Sequence, residues 1–67
     1  MAVVSSLRDR RILVVEDEYL IALTLSDHLE GVGSTVVGPV PSVESAINVI
    51  ESDLEIDAAI LDIISAA

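Results

Sequence analysis

The 67-residue sequence has no cysteine, tryptophan, phenylalanine or lysine, and a single tyrosine. Without cysteine there is no disulfide, no thiolate metal site and no thiol nucleophile, and any zinc site would depend on His28 and carboxylates. Positive charge is scarce: 3 basic residues stand against 12 acidic ones, for a formal net charge of −9. The basic residues are Arg8, Arg10 and Arg11, so no fixed positive charge follows Arg11. Such a chain repels phosphate backbones and anionic headgroups, which argues against nucleic-acid and membrane-surface partners. No apolar run approaches the ~18 residues that span a bilayer. The short Ala2 to Val4 run has no basic start before it and does not read as a signal peptide. These absences together suggest a cytoplasmic protein.

What is present is aliphatic: 52% of the residues are hydrophobic. A chain this short buries only about 60% of the surface its unfolded form exposes, which makes it one small domain or part of one. Ile12 to Val15 is an unalternating aliphatic run, the pattern of a strand buried on both faces of a parallel sheet. A helix is predicted from about Glu18 to Glu30, with Ile21, Leu25 and Leu29 on one stripe beside Ala22, and with Gly31 and Gly33 as its stop. Thr35 to Val37, with Gly38, predicts a second strand, and Pro39 and Pro41 a loop. Ser42 is placed to cap a second helix on which Val43, Ala46, Ile47 and Ile50 form the apolar stripe. A third strand is predicted within Asp57 to Asp62. Strand and helix alternate, which implies right-handed crossovers and a parallel sheet. The expected fold class is therefore α/β. The first seven residues are expected to form a loose arm.

Ligands of an open parallel sheet bind beyond the carboxyl ends of its strands, where strand order reverses. Glu16 and Asp17 close the first strand and Asp62 the third. If the first strand lies between the other two, the three acids meet about one strand spacing, ~4.8 Å, apart. Like charges that close require either a retained proton or a cation. A hard divalent ion such as Mg²⁺, content with one or two carboxylates, a carbonyl and several waters, suits the place. The competing reading makes Glu16, Asp17 and Glu18 solvated acids at the start of the first helix, favoured by its dipole.

The run Arg11-Ile-Leu-Val-Val-Glu-Asp-Glu18, then an apolar helix, Gly31-Val-Gly33, a Val-Val-Gly strand, a Ser-capped helix and Asp57-Ala-Ala-Ile-Leu-Asp-Ile63, resembles the receiver domain of two-component response regulators. The resemblance runs from Arg11 to about Ile64 and matches the first half of such a domain. It implies a flavodoxin-like sheet of order 2-1-3 in this portion. It further implies that Asp62 accepts a phosphoryl group from a histidine kinase or phosphotransfer protein. Asp17 would then ligate Mg²⁺ directly, Glu16 would reach the metal through water, and the Ile64 carbonyl would be a further metal ligand. The chain would be a phosphoacceptor in a phosphorelay, the partner kinase being the enzyme.

A full receiver continues with further strands that bring a Ser or Thr and a Lys to the phosphoryl group. This sequence has no Lys, and Thr24 and Thr35 fall in the wrong elements. Ala66 also stands where the family often has Pro. The expectation is thus an arm over residues 1–10 and a truncated receiver over 11–67. Its third strand would be a bare edge, and a homodimer through that edge is expected. Alternatives are a half-domain that self-associates around a vestigial site, an artificially shortened chain, and a metal-dependent hydrolase, which lacks an evident base. His28 suits the C-terminal end of its helix, and Tyr19 is expected to be a packing residue.

Overall fold

The computed structural model describes residues 7–52 and 55–63. Five elements follow one another: β1 (Arg11–Glu16), α1 (Tyr19–Gly31), β2 (Thr35–Val40), α2 (Val43–Glu51) and β3 (Ala58–Asp62). The strands form one parallel sheet in the order β2-β1-β3. This is the α/β arrangement expected from the sequence and is consistent with half of a flavodoxin-like fold.

The chain steps one way from β1 to β2 and the other way, past β1, to β3. Under the right-handed crossover rule, that reversal places the two helices on opposite faces of the sheet. The packing agrees. Ile12 and Val14 cluster with Leu25 and Leu29 of α1, while Leu13 and Val15 cluster with Ala46 and Val49 of α2. β1 is therefore covered on both sides, which explains why its aliphatic run does not alternate. Each helix packs on β1 and β2, and β3 is left largely outside this cover, with only Ile60 of its five residues half-buried.

Both helical stripes differ from expectation. Along α1 the buried line is Ala22, Ser26 and Leu29 with Leu25 half-buried, whereas Ile21 is half exposed and Leu20 is 75% exposed. Small side chains at 22 and 26 bring the helix backbone close to the sheet, and that rotation carries Ile21 outward. On α2 only Ala46 is buried, with Val49 beside it, and Val43, Ile47 and Ile50 are about half exposed. The Ser42 cap is as expected: its hydroxyl accepts the Ser45 backbone N–H at 3.1 Å.

β2 runs further than the sequence suggested, continuing through Gly38 and Pro39 to Val40. Pro39 does not end it because β2 is an edge strand, where a residue without an N–H is tolerated on the outer side, and the strand stops just before Pro41. Between Leu13↔Val37 and Val15↔Val40 the register slips, β2 using one residue more than β1. Gly38 takes φ 97° there, and a Cβ at that position would lie 2.9 Å from the Val40 nitrogen and 3.2 Å from the Val14 carbonyl oxygen.

Of the residues expected to form a loose arm, 1–6 lie outside the described residues. Leu7 packs against the Ile12 and Val14 cluster, and its carbonyl accepts the Ser34 hydroxyl at 2.7 Å. Asp9 donates its N–H to the Gly33 carbonyl at 2.8 Å. The segment from Leu7 to Arg10 is thus tied to the turn between α1 and β2.

Candidate functional site

Register brings the acids together. Ile12 to Glu16 pairs with β3 without interruption: Ile12↔Ala58, Leu13↔Ala59, Val14↔Ile60, Val15↔Leu61 and Glu16↔Asp62. Residues paired this way in a parallel sheet lie on the same face, so Glu16 and Asp62 stand side by side on the face that carries α1. Asp17 follows at once and turns the chain toward the N-terminus of α1.

The start of that register is pinned at the other end of the strands. The Arg11 N–H donates to the Asp57 carboxylate at 2.8 Å, the Asp57 N–H donates to the Arg11 carbonyl at 2.8 Å, and the Arg11 guanidinium donates to the Glu55 carbonyl at 2.7 Å. Five residues on, Asp62 arrives beside Glu16. Asp57 is therefore a positioning residue that sequence reasoning missed as such. The arginines gathered just before an aliphatic strand, with an acid opening the third, were the available signal.

The three acids of the first loop differ in environment. Glu16 is buried, at 4% exposure, while Asp17 and Glu18 are exposed. One Glu16 carboxylate oxygen, Oε2, accepts the Glu18 N–H at 2.9 Å. The other, Oε1, is buried without a hydrogen-bond partner. The picture of three solvated helix-start acids thus fails for Glu16, and none of them lies in the first turn of α1.

Two influences oppose each other at Glu16. The Glu18 N–H favours the charged carboxylate and is the strongest single effect, acting to lower the pKa. Lost hydration, together with the neighbouring Asp62 and Asp17 carboxyls, outweighs it and raises the Glu16 carboxyl above its ordinary value. The site therefore favours a shared proton or a nearby cation.

Beside the acids lies an open concavity of about 220 Å³, lined by Tyr19, Pro39, Val40 and Pro41 together with Glu16 and Asp17. Tyr19 is 73% exposed at this concavity and not packed into the core as expected. His28 sits in the last turn of α1, where a cation suits the helix dipole, at the end away from the acids. Ile64, the expected carbonyl ligand, lies outside the described residues.

Among the described residues, no group of three or more His, Asp or Glu side chains is placed to hold a metal ion by itself. Mg²⁺ asks for less, one or two carboxylates with its remaining positions filled by water. The unpartnered Oε1 of Glu16 beside exposed Asp17 and Asp62 fits such a hydrated ion. Also among the described residues, no helix is long and apolar enough to cross a membrane. Comparison of the chain with family models, curated proteins and solved structures finds no match.

Proposed function

We propose that the chain serves as the phosphoacceptor part of a response-regulator receiver domain, accepting a phosphoryl group on Asp62 from a histidine kinase or phosphotransfer protein. The observation that carries this reading is the Glu16↔Asp62 pairing at the carboxyl ends of β1 and β3, where a buried Glu16 oxygen has no partner. Sheet order reverses at β1, and that is where ligands of open parallel sheets bind.

Asp62 is exposed at the end of its strand, so a donor can approach it in line. A carboxylate oxygen of Asp62 forms the new bond to phosphorus as the phosphorus–nitrogen bond to the donor imidazole breaks, the nitrogen keeping the electron pair. Asp17 and Glu16 would hold Mg²⁺, which when bound offsets negative charge on the phosphoryl oxygens. The chain does no chemistry on the donor beyond presenting this carboxylate.

Intact-mass measurement after incubation with acetyl phosphate and Mg²⁺ tests the reading. A single phosphoryl adduct on the chain, absent from Asp62→Asn and from a metal-stripped sample, is expected. An adduct that survives Asp62→Asn, or no adduct at all with Mg²⁺ present, would remove Asp62 from the role of acceptor.

A further inference from the structure

The concavity beside the acids lies on the β2 side of the mouth, away from β3. Its composition is mixed: Tyr19, Pro39, Val40 and Pro41 give carbon walls, and Glu16 and Asp17 complete the lining with carboxylates. A hydrated Mg²⁺ ion is met by oxygen and water alone, so it gains nothing from such walls. A ligand with a positive head on a carbon body uses walls and acids together. Glu16 marks the place of the head. Its Oε2 is held by the Glu18 N–H at 2.9 Å, which leaves the buried, unpartnered Oε1 as the acceptor still to be satisfied. Asp17 adds an exposed carboxylate next in the chain.

The chain has no cation of its own to place there. It contains no Lys, and Arg8, Arg10 and Arg11 precede or open β1, at the opposite end of a six-residue strand about 20 Å long. At that end the Arg11 guanidinium donates to the Glu55 carbonyl. His28 is in the last turn of α1, away from the mouth.

We propose that the concavity receives an arginine side chain from a partner protein, its guanidinium on Glu16 Oε1 and the Asp17 carboxylate, its methylenes along Tyr19, Pro39, Val40 and Pro41. A guanidinium suits the place better than an ammonium. It is planar and weakly hydrated, stacks on an aromatic ring, and donates to two carboxylates at once. The volume, about 220 Å³, is below the roughly 300–1,000 Å³ of sites that enclose a whole small ligand. It is therefore a place for one side chain presented by a larger body. The charge of −9 draws a basic segment toward the chain. The arginine head and Mg²⁺ need the same oxygens and exclude one another, so an arginine-filled mouth takes up no phosphoryl group. That last consequence alone rests on the proposed function.

The probe is the capped peptide acetyl-glycyl-arginyl-glycinamide, titrated into the 67-residue chain in metal-free buffer of low ionic strength. The backbone amide shifts of Asp17, Tyr19 and Val40 report on the concavity. Saturable shifts at these three, with a dissociation constant on the order of 1 mM, are expected, and none up to about 10 mM overturns the proposal. The citrulline counterpart, of the same shape without the charge, should give no saturable shift. Equal binding by it overturns the carboxylate contact, and equal binding by the lysine counterpart overturns the choice of guanidinium.

Glu16→Gln puts an amide where the guanidinium needs an acceptor and should weaken binding about tenfold. Asp17→Asn and Tyr19→Ser, both at exposed positions, should each weaken it about threefold. Glu30→Gln removes the same charge from the far end of α1 and should leave binding unchanged. A loss there equal to that of Asp17→Asn would reduce the attraction to net charge and refute the site. Phosphorylation is read separately: a chain that binds the peptide yet gains no phosphoryl adduct keeps this site and loses the acceptor role, and a phosphorylated chain indifferent to the peptide does the reverse.

Discussion

β2 finishes its outer edge with Gly38 at φ 97°, Pro39 and a one-residue slip against β1, whereas β3 offers Ala58 to Asp62 in unbroken register with Leu61 exposed. The first edge resists a new neighbour: proline donates nothing and the slip twists the ladder. The second has neither feature among the described residues. The regularity that leaves β3 open is also what places Asp62 beside Glu16. A single inserted residue in β3 would turn the following side chains to the other face and carry Asp62 away from β1. An edge that must deliver a carboxylate to an accurate place cannot use the slip that guards its counterpart.

Disturbing the guarded edge should have the largest effect. Gly38→Ala places a Cβ 2.9 Å from the Val40 nitrogen at a backbone angle that alanine avoids. It should cost about 1–3 kcal/mol, read as an earlier midpoint in urea, and unchanged stability would mean that β2 does not need its slip. Just beyond that edge, Ser42→Ala removes the hydroxyl that accepts the Ser45 N–H. A loss of about 1 kcal/mol is expected, or roughly 4–8 °C in thermal midpoint. On the open edge Leu61→Thr should change monomer stability by less than about 0.5 kcal/mol, as exposed substitutions do. A cost like that of Gly38→Ala would show that β3 is packed more tightly than its exposure indicates.

The order of the strands came only from the resemblance to receiver domains, whereas the strands and the two helices were legible because their signals are local: an unbroken aliphatic run, glycines after a helix, a serine before one. The faces of the helices were not. Ile21 is more apolar than Ser26, yet Ser26 is buried with its hydroxyl unpartnered and Ile21 is half exposed. Closeness to the sheet selected the small residue, and spacing along one helix does not reveal that. β2 was shortened in the reading because proline ends a central strand, and its place at an edge is a property of the whole sheet. The acids of the mouth were found from strand ends alone. The difference between them was hidden, because the burial of Glu16 against the exposure of Asp17 and Glu18 depends on how α1 closes over the face of β1.

The adjacency of Glu16 and Asp62 also sets a pH dependence. A carboxyl whose pKa is raised by folding holds its proton more tightly in the folded chain. Its contribution to stability is complete below the unfolded pKa and is lost as pH rises through the folded one. Stability should therefore decline across that interval, and Glu16→Gln should flatten the decline.

The most direct measurement is the carboxyl ¹³C titration of Glu16 in the wild-type chain and in Asp62→Asn. A Glu16 pKa raised above its ordinary value that falls in Asp62→Asn, and falls again when Mg²⁺ is added to the wild type, is the expected result. An ordinary value that neither the substitution nor the metal moves would contradict the placing of the two carboxyls at one mouth.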